Sequence, residues 1–408
     1  MANSCSFCKS YKIINIIDFK KVGLAGSFLK KNQIKKEKKY PLKVGLCKNC
    51  FAFQVLKKID PKTVFSKYFY FSSSIKTLQN YFSKVAYNLS IKYEKFKNSN
   101  ILEIGCNDGV LIKPLQNKGF KKIFGIDPAK NIQKKINLKN VKIINDFFSN
   151  RLSNSIKKSY GKFDMILANN VFAHINNIRD VVRGIKNLLT DRGVFIFEVH
   201  YLGKMIKELQ YDMIYHEHIY YYSLISAKNL FAQFDMIIID YEFTNIHAGS
   251  IRFTVTKNNE FNKKKITKKI IKLEKNEITQ GFKKINFYKK FNKNIQIHKK
   301  KLLNLVNKIT KKKDIIYGYG ASGRANTVLQ NCSFDSSKIK LMIDDAKSKW
   351  NFYTPGSHIK ITNKKILKKK KPDYLLIFAW SFYNEIVNNN ILHNIKIIIP
   401  FPKPIVLK

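Results

Sequence analysis

From residue 101 onward, short apolar runs alternate with segments whose apolar residues recur at helical spacing. The runs Ile101–Cys106, Lys122–Asp127, Val141–Asp146, Phe163–Asn170 and Gly193–Val199 read as strands. Asn177–Leu189, between two of them, reads as a helix. Such alternation predicts a mainly parallel sheet with helices on both faces. Met236–Phe243 and Ser250–Lys257 lie close enough to pair antiparallel and finish that sheet. Upstream, a helix is predicted near residues 75–97, after an aromatic and serine-rich stretch that includes Tyr68, Tyr70 and Ser72. Residues 258–312 contain no Pro and one Gly, Gly281, and their pattern predicts one or two long amphipathic helices with the lysines on a solvated face. A second αβ pattern follows, with strands at Asp314–Tyr319, Ile339–Asp344, Pro372–Trp380 and Lys396–Pro400.

A chain of 408 residues is too long for one core and calls for two or three domains. A hydrophobic fraction of 45% and an aromatic fraction of 13% exclude a disordered chain. No apolar run reaches the roughly 18–20 residues that span a bilayer. The first residues also lack a signal-peptide layout, so a cytoplasmic location and no membrane partner are expected. The formal charge is +50, from 77 basic and 27 acidic residues. That charge would draw polyanions and steer anionic substrates. The lysines, however, are spread over nearly the whole chain, alongside abundant Asn, Ile, Phe and Tyr. Compositional drift is therefore the favoured account, nucleic acid is not the expected partner, and a monomer is expected.

Four of the six cysteines form two knuckles, Cys5-x2-Cys8 and Cys47-x2-Cys50. In a reducing compartment, paired CxxC turns supply four thiolates to one tetrahedral zinc. A redox CxxC is the alternative, but it ordinarily comes singly. With all four positions filled by sulfur, such a zinc is structural, and the residues between the knuckles form an inserted loop. The expected organisation is α/β in four parts. A zinc ribbon covers 1–70, and a Rossmann-like doubly wound sheet covers 71–257. A helical linker covers 258–312, and a second Rossmann-like domain covers 313–408.

The first strand of the large sheet ends in Glu103-Ile104-Gly105-Cys106-Asn107-Asp108-Gly109. Glycines at 105 and 109 allow backbone to approach a ligand at the carboxyl edge of the sheet. No Lys-Ser/Thr of a P-loop is present, which excludes a nucleoside triphosphate of that type. The next strand ends at Asp127, whose carboxylate could hold ribose hydroxyls, as it could in an NAD site; capping of the following segment is the plainer alternative. Asp146 and Phe147 follow the third strand and could hold an adenine ring, although Phe147 or Phe148 could equally be core. Asn170 leaves the fourth strand at the same edge.

Two histidine stretches follow, Asn170-Val171-Phe172-Ala173-His174 and Tyr215-His216-Glu217-His218. Imidazole is the usual base near neutral pH. A structural loop is a second reading. A metal site is a third, although adjacent ligands on extended chain diverge and HExxH spacing is absent.

These motifs together resemble the deoxysugar C-methyltransferase family, nearly end to end. The resemblance covers the four cysteines, Tyr68-x-Tyr70-x-Ser72, Glu103–Gly109, Asn170–His174 and Tyr215–His218. It continues through His247-Ala248-Gly249-Ser250-Ile251-Arg252 and Gly318-Tyr319-Gly320-Ala321. It implies S-adenosylmethionine as cofactor, a nucleotide-diphosphate 4-keto sugar as substrate, a class I methyltransferase sheet over 71–257 and a nucleotide-sugar-binding domain over 313–408. His218 would be the base that removes the C-3 proton, with Tyr215, Glu217, His174 and Tyr70 around it. Ser250, Arg252, Gly318 and Gly320 would lie on the substrate, Arg252 toward phosphate. The family carries Gly where this chain has Ala248, which puts the geometry of that turn in question. Gly318-x-Gly320-x-x-Gly323, with Asp344 about 20 residues on, also fits an NAD fingerprint. The resemblance implies a third domain that needs no nicotinamide.

Overall fold

The computed structural model describes residues 4–65, 72–129, 138, 140–387 and 394–407. Between the cysteine knuckles there is no simple loop. β1 (Ile13–Gly23) and β2 (Lys39–Cys47) lie there, and with β3 (Phe53–Val55), which follows the second knuckle, they form an antiparallel sheet. Register shifts at Asn15/Ile17 and Asp18/Lys21 break the inside–outside alternation of β1, which hides the strand from a period-two reading.

The central sheet is built from β4 (Asn100–Ile104), β5 (Lys122–Ile126), β6 (Val141–Ile144), β7 (Phe163–Asn169) and β8 (Leu189–His200). A short β9 (Tyr220–Tyr221) lies outside it, and β10 (Met236–Thr244) and β11 (Ser250–Lys257) complete it. Its spatial order is β10-β11-β8-β7-β4-β5-β6. β8, β7, β4, β5 and β6 run parallel, and β11 and β10 are added antiparallel. The chain winds outward from β4 to β6, then crosses to β7 beside β4. That reversal opens a crevice at the carboxyl ends of β4 and β7, where the loops after both strands meet. Helix Lys76–Lys92 covers this sheet with Leu78, Phe82, Val85 and Leu89, apolar at helical spacing and all buried.

β9 pairs with β3, placing Tyr221 opposite Phe53 and Tyr220 opposite Gln54. The cysteine sheet thereby grips the residues that immediately follow His218.

Helices Lys268–Gln280 and Ile285–Lys311 are separated at Gly281, whose φ of 99° ends the first in the left-handed region. The second buries Tyr288, Phe291, Ile295, Leu302, Val306 and Ile309 and turns its lysines outward. The third sheet contains β12 (Ile316–Tyr319), β13 (Leu341–Ile343), β14 (Ile361–Thr362), β15 (Tyr374–Ile377), β16 (Lys396–Ile399) and β17 (Ile405–Leu407). Their order is β14-β13-β12-β15-β16-β17, parallel except for β17. Glu37, in the connection between β1 and β2, accepts from Gly356 N (2.8 Å) and pairs with His358 Nε2 (2.7 Å), tying the first domain to the third. No described helix is long and apolar enough to cross a membrane.

Candidate functional site

The four knuckle sulfurs lie within 4.8 Å of one another. Cys5 and Cys50 are 3.5 Å apart, and Cys8 and Cys47 3.6 Å. A tetrahedral zinc with Zn–S bonds near 2.3 Å needs sulfur–sulfur edges of about 3.8 Å, so this set fits that ion. Gln54 Nε2 donates to Cys5 Sγ at 3.1 Å, an outer contact that steadies a thiolate ligand.

At the crevice, Glu103 ends β4 and is buried, with Oε2 lacking a hydrogen-bond partner among the described residues. Burial holds its carboxyl well above the usual range, against the neighbouring Asn169 amide, which lowers it, and Asp127 and Asp108, which raise it further. Asn169 Nδ2, at the end of β7, lies beside that carboxyl, buried and without a hydrogen bond of good geometry among the described residues. An acceptor and a donor left open side by side fit the ammonium and carboxylate of a methionine moiety. Gly105 turns at φ 71°, and a Cβ there would stand 2.7 Å from the Val171 side chain. The strand end therefore passes close under the Asn170–His174 loop, and only glycine allows it. Asn107 and Gly109 also have positive φ, 48° and 79°. Asp127 Oδ2 accepts from Asn107 N (3.0 Å) and Oδ1 from Ala129 N (2.9 Å), so this acid braces the glycine loop. Asn170, also left-handed (φ 54°), donates through Nδ2 to Glu198 Oε1 at 3.2 Å.

On the other wall, His218 Nδ1 lies 2.8 Å from Met213 O and Nε2 lies 2.8 Å from the Tyr215 hydroxyl. A backbone carbonyl can only accept, so Nδ1 carries the proton and Nε2 presents its lone pair. His174 stacks on this ring, with centroids 5.1 Å apart and planes 22° from parallel. Burial, then the His174 ring, pushes His218 well below the ordinary imidazole range. Burial likewise pushes His174 and His247 down to about 4 and His200 to about 3, and Arg324 adds to the last two. The pocket thus keeps a group of neutral imidazoles.

Several expected site residues lie elsewhere. Arg252 is buried, with Nη2 on Glu198 Oε2 (2.7 Å) and the Tyr81 hydroxyl (2.6 Å) and Nη1 on Glu242 Oε2 (3.1 Å). The buried Glu198 and the exposed Glu242 claim it, so it is not offered to a phosphate. Ser250 is buried on the Ile246 carbonyl. Glu217 turns its Oε1 to Gly26 N (3.1 Å) and leaves the orientation of His218 to the Met213 carbonyl. His216 faces Pro41 O. Asp146 is exposed and caps Phe147 N; Phe147 is exposed too, and Phe148 is the core residue. Gly318 and Gly320 serve packing against Met342 and Ala379. Lys349 Nζ lies across the third-domain turn, 2.8 Å from Ala321 O and 3.0 Å from Asp344 Oδ2, so the acid that would take an NAD ribose is already paired. Tyr70 lies outside the described residues. The turn at Ala248 does require positive φ: His247, Ala248 and Gly249 stand at 51°, 68° and 117°. Ala248 therefore holds a left-handed backbone that glycine adopts at less cost.

His200, Asp212 and Arg324 were not singled out by sequence. His200 sits at the carboxyl end of β8, a position that could have flagged it. Asp212 and Arg324 are 112 residues apart and meet only once the third domain docks.

A doubly wound sheet closed by two antiparallel strands, with a glycine turn and a buried acid at its switch point and a four-sulfur cluster beside it, defines a zinc-containing class I methyltransferase. Residues 5–65 match the family described as a putative zinc binding domain, 76–240 a methyltransferase domain, and 245–402 a C-methyltransferase C-terminal domain. The C-methyltransferase NovU of Streptomyces niveus is 26% identical over 99% of this chain and 97% of its own length. A ubiquinone biosynthesis O-methyltransferase of Pelagibacter ubique (strain HTCC1062) is 30% identical over 30% of this chain and 50% of its own. The chain belongs to the C-methyltransferase family with an N-terminal zinc-binding domain. It is an S-adenosylmethionine-dependent C-methyltransferase with a four-cysteine zinc site.

Proposed function

We propose that the enzyme methylates C-3 of a nucleotide-linked 4-keto deoxysugar, with His218 as general base and an enolate of the sugar as intermediate. The observation that supports this reading is the tautomer of His218, whose Nδ1–H is held on Met213 O so that Nε2 is the ring's acceptor. S-adenosylmethionine, when bound, supplies a methyl group on an electrophilic sulfonium. Glu103, Gly105, Asn107, Gly109, Asp127 and Asn170 hold it at the β4–β7 edge. His218 Nε2 takes the proton α to the ketone, a carbon acidic enough for imidazole because the carbonyl delocalises the charge. Tyr215, displaced from Nε2 by the substrate, turns its hydroxyl to the ketone oxygen and stabilises the enolate. His174 covers the base and keeps water out. A nucleotide diphosphate entering this pocket raises the depressed pKa of His218 toward neutrality, where a base works best. The proposed domain limits are 1–70, 71–257, 258–312 and 313–408.

The test is mass spectrometry of the full chain incubated with methyl-labelled S-adenosylmethionine and a panel of nucleotide 4-keto sugars. Label on the sugar carbon, lost in His218→Asn with cofactor affinity unchanged, is the expected result. Label on a sugar oxygen, or full transfer by His218→Asn, would overturn it.

A further inference from the structure

The third domain contains a glycine-rich turn with a full dinucleotide fingerprint, yet Lys349 closes it. What the turn's helix, Gly323–Asn331, touches is the loop that carries the base. Arg324 donates from Nε to Asp212 Oδ2 at 2.9 Å, and Nη2 lies 2.8 Å from the same oxygen. Trp380 Nε1, also from the third domain, donates to that oxygen at 2.9 Å, and its ring lies under the Arg324 guanidinium at 4.7 Å. The next residue, Met213, supplies the carbonyl that holds His218 Nδ1. The one after, Ile214, accepts from Thr327 Oγ1 at 3.0 Å. Tyr215 follows, its ring 3.4 Å from where a Cβ on Gly323 would stand. Residues 212–215 are therefore held from one side by the third domain, while two of them, Met213 and Tyr215, hold the base on the other.

Stability alone is a poor account of this arrangement. A buried ion pair contributes little net stability, because desolvation offsets attraction. Here Asp212 also leaves Oδ1 buried without a hydrogen-bond partner among the described residues, a further cost. What the pair does provide is a fixed position for the Met213 carbonyl, and so a fixed tautomer and direction for His218.

We infer that the third domain acts as the scaffold of the catalytic base, with Asp212 as a positioning residue that works through Met213 on His218. The inference rests on His218 being the base. Its readout is imidazole 15N NMR of the full-length protein, which reports the His218 tautomer without turnover. Asp212→Asn and Arg324→Met are expected to convert a single Nδ1–H tautomer into a mixture. They should lower kcat about tenfold or more while leaving KM for S-adenosylmethionine within about twofold. Thr327→Val should move both readouts the same way, less far. Wild-type 15N shifts and wild-type kcat in these variants would overturn the inference. Where Asp212→Asn fails to fold, Thr327→Val and Arg324→Met decide it by the same measurements. Activity surviving in His218→Asn, with the tautomer still altered in Asp212→Asn, would instead remove only the assignment of the base.

Discussion

The Tyr215 hydroxyl stands 2.8 Å from His218 Nε2, on the one lone pair that the imidazole has to offer. Donation to that lone pair favours the neutral ring. Tyr215→Phe is expected to raise the pKa of His218, followed by NMR titration. It should also lower kcat about 10- to 100-fold, because the enolate oxygen loses its donor. A base made stronger in an enzyme made slower separates the hydroxyl's role on the substrate from its role on the histidine. An unchanged kcat would leave Tyr215 only the second role.

Arg252 is expected to matter for stability and not for phosphate binding. Its guanidinium is the counterion of Glu198, which is fully buried in β8, and it also holds Tyr81 of the covering helix. Removing one partner of a buried pair typically destabilises by about 3–5 kcal/mol. Arg252→Met should lose that much in urea unfolding, and the double variant Arg252→Met/Glu198→Gln should recover part of it. Substrate affinity of the folded fraction should be unchanged. A normal unfolding curve with a raised substrate KM would return Arg252 to the substrate site.

The parts of the site that were legible in the sequence are those made by neighbours along the chain. Glu103–Gly109 is one strand and its turn, and the Cys-x2-Cys pairs are single knuckles whose chemistry follows from spacing. Arg252 reads as free because its partner Glu198 is 54 residues away on an adjacent strand. Glu217 reads as an orienting acid because it adjoins His218, yet its own partner, Gly26, is 191 residues away in the connection between β1 and β2. Adjacent residues on non-helical chain face apart, so closeness in sequence misleads there. β1 went unread because its bulges disrupt the alternation that identifies strands, and β9 because two residues carry no period at all. The glycine turn of the third domain was legible as a shape, but Lys349 lies 26 residues beyond Gly323, and the sequence alone does not place its ammonium across the turn.

Zinc removal should cost catalysis more than cofactor binding. Val55 N donates to Ile219 O at 2.8 Å, Phe53 and Gln54 pair with Tyr221 and Tyr220, and the Phe7 ring lies 5.1 Å from that of Tyr220. All of these contacts fall within four residues of His218 and none on the Glu103–Gly109 turn. Chelation of the metal, or Cys8→Ser, is expected to lower the melting temperature of the first sheet. Turnover should fall about tenfold or more, while the Kd for S-adenosylmethionine changes less than about threefold. Metal content by elemental analysis, set against turnover and calorimetric cofactor binding, checks this. Cofactor binding lost in step with zinc would mean that the metal supports the whole sheet and not the histidine block.

A buried carboxyl far from the chemistry sets a pH dependence of stability. Glu277, in helix Lys268–Gln280, accepts from Leu224 N (2.8 Å), Ile225 N (2.9 Å) and the Tyr201 hydroxyl (3.0 Å), and so caps the helix that starts at Leu224. Burial pushes it up to about 7 despite those three donors. With the folded pKa above the unfolded one, its contribution is fully present below about pH 4.5 and is lost as pH rises through 7. The unfolded state has released its proton over that interval while the folded state still holds it. The loss amounts to about 3 kcal/mol at most between those limits. Urea unfolding of the wild type at pH 5, 6, 7 and 8 should show this decline on top of other groups' titration. In Glu277→Gln, which cannot ionise, the curve should be flatter over the same window, with a pH-independent loss of about 1 kcal/mol for the one backbone donor left without an acceptor. Curves of equal slope for the two proteins would show that Glu277 does not titrate there.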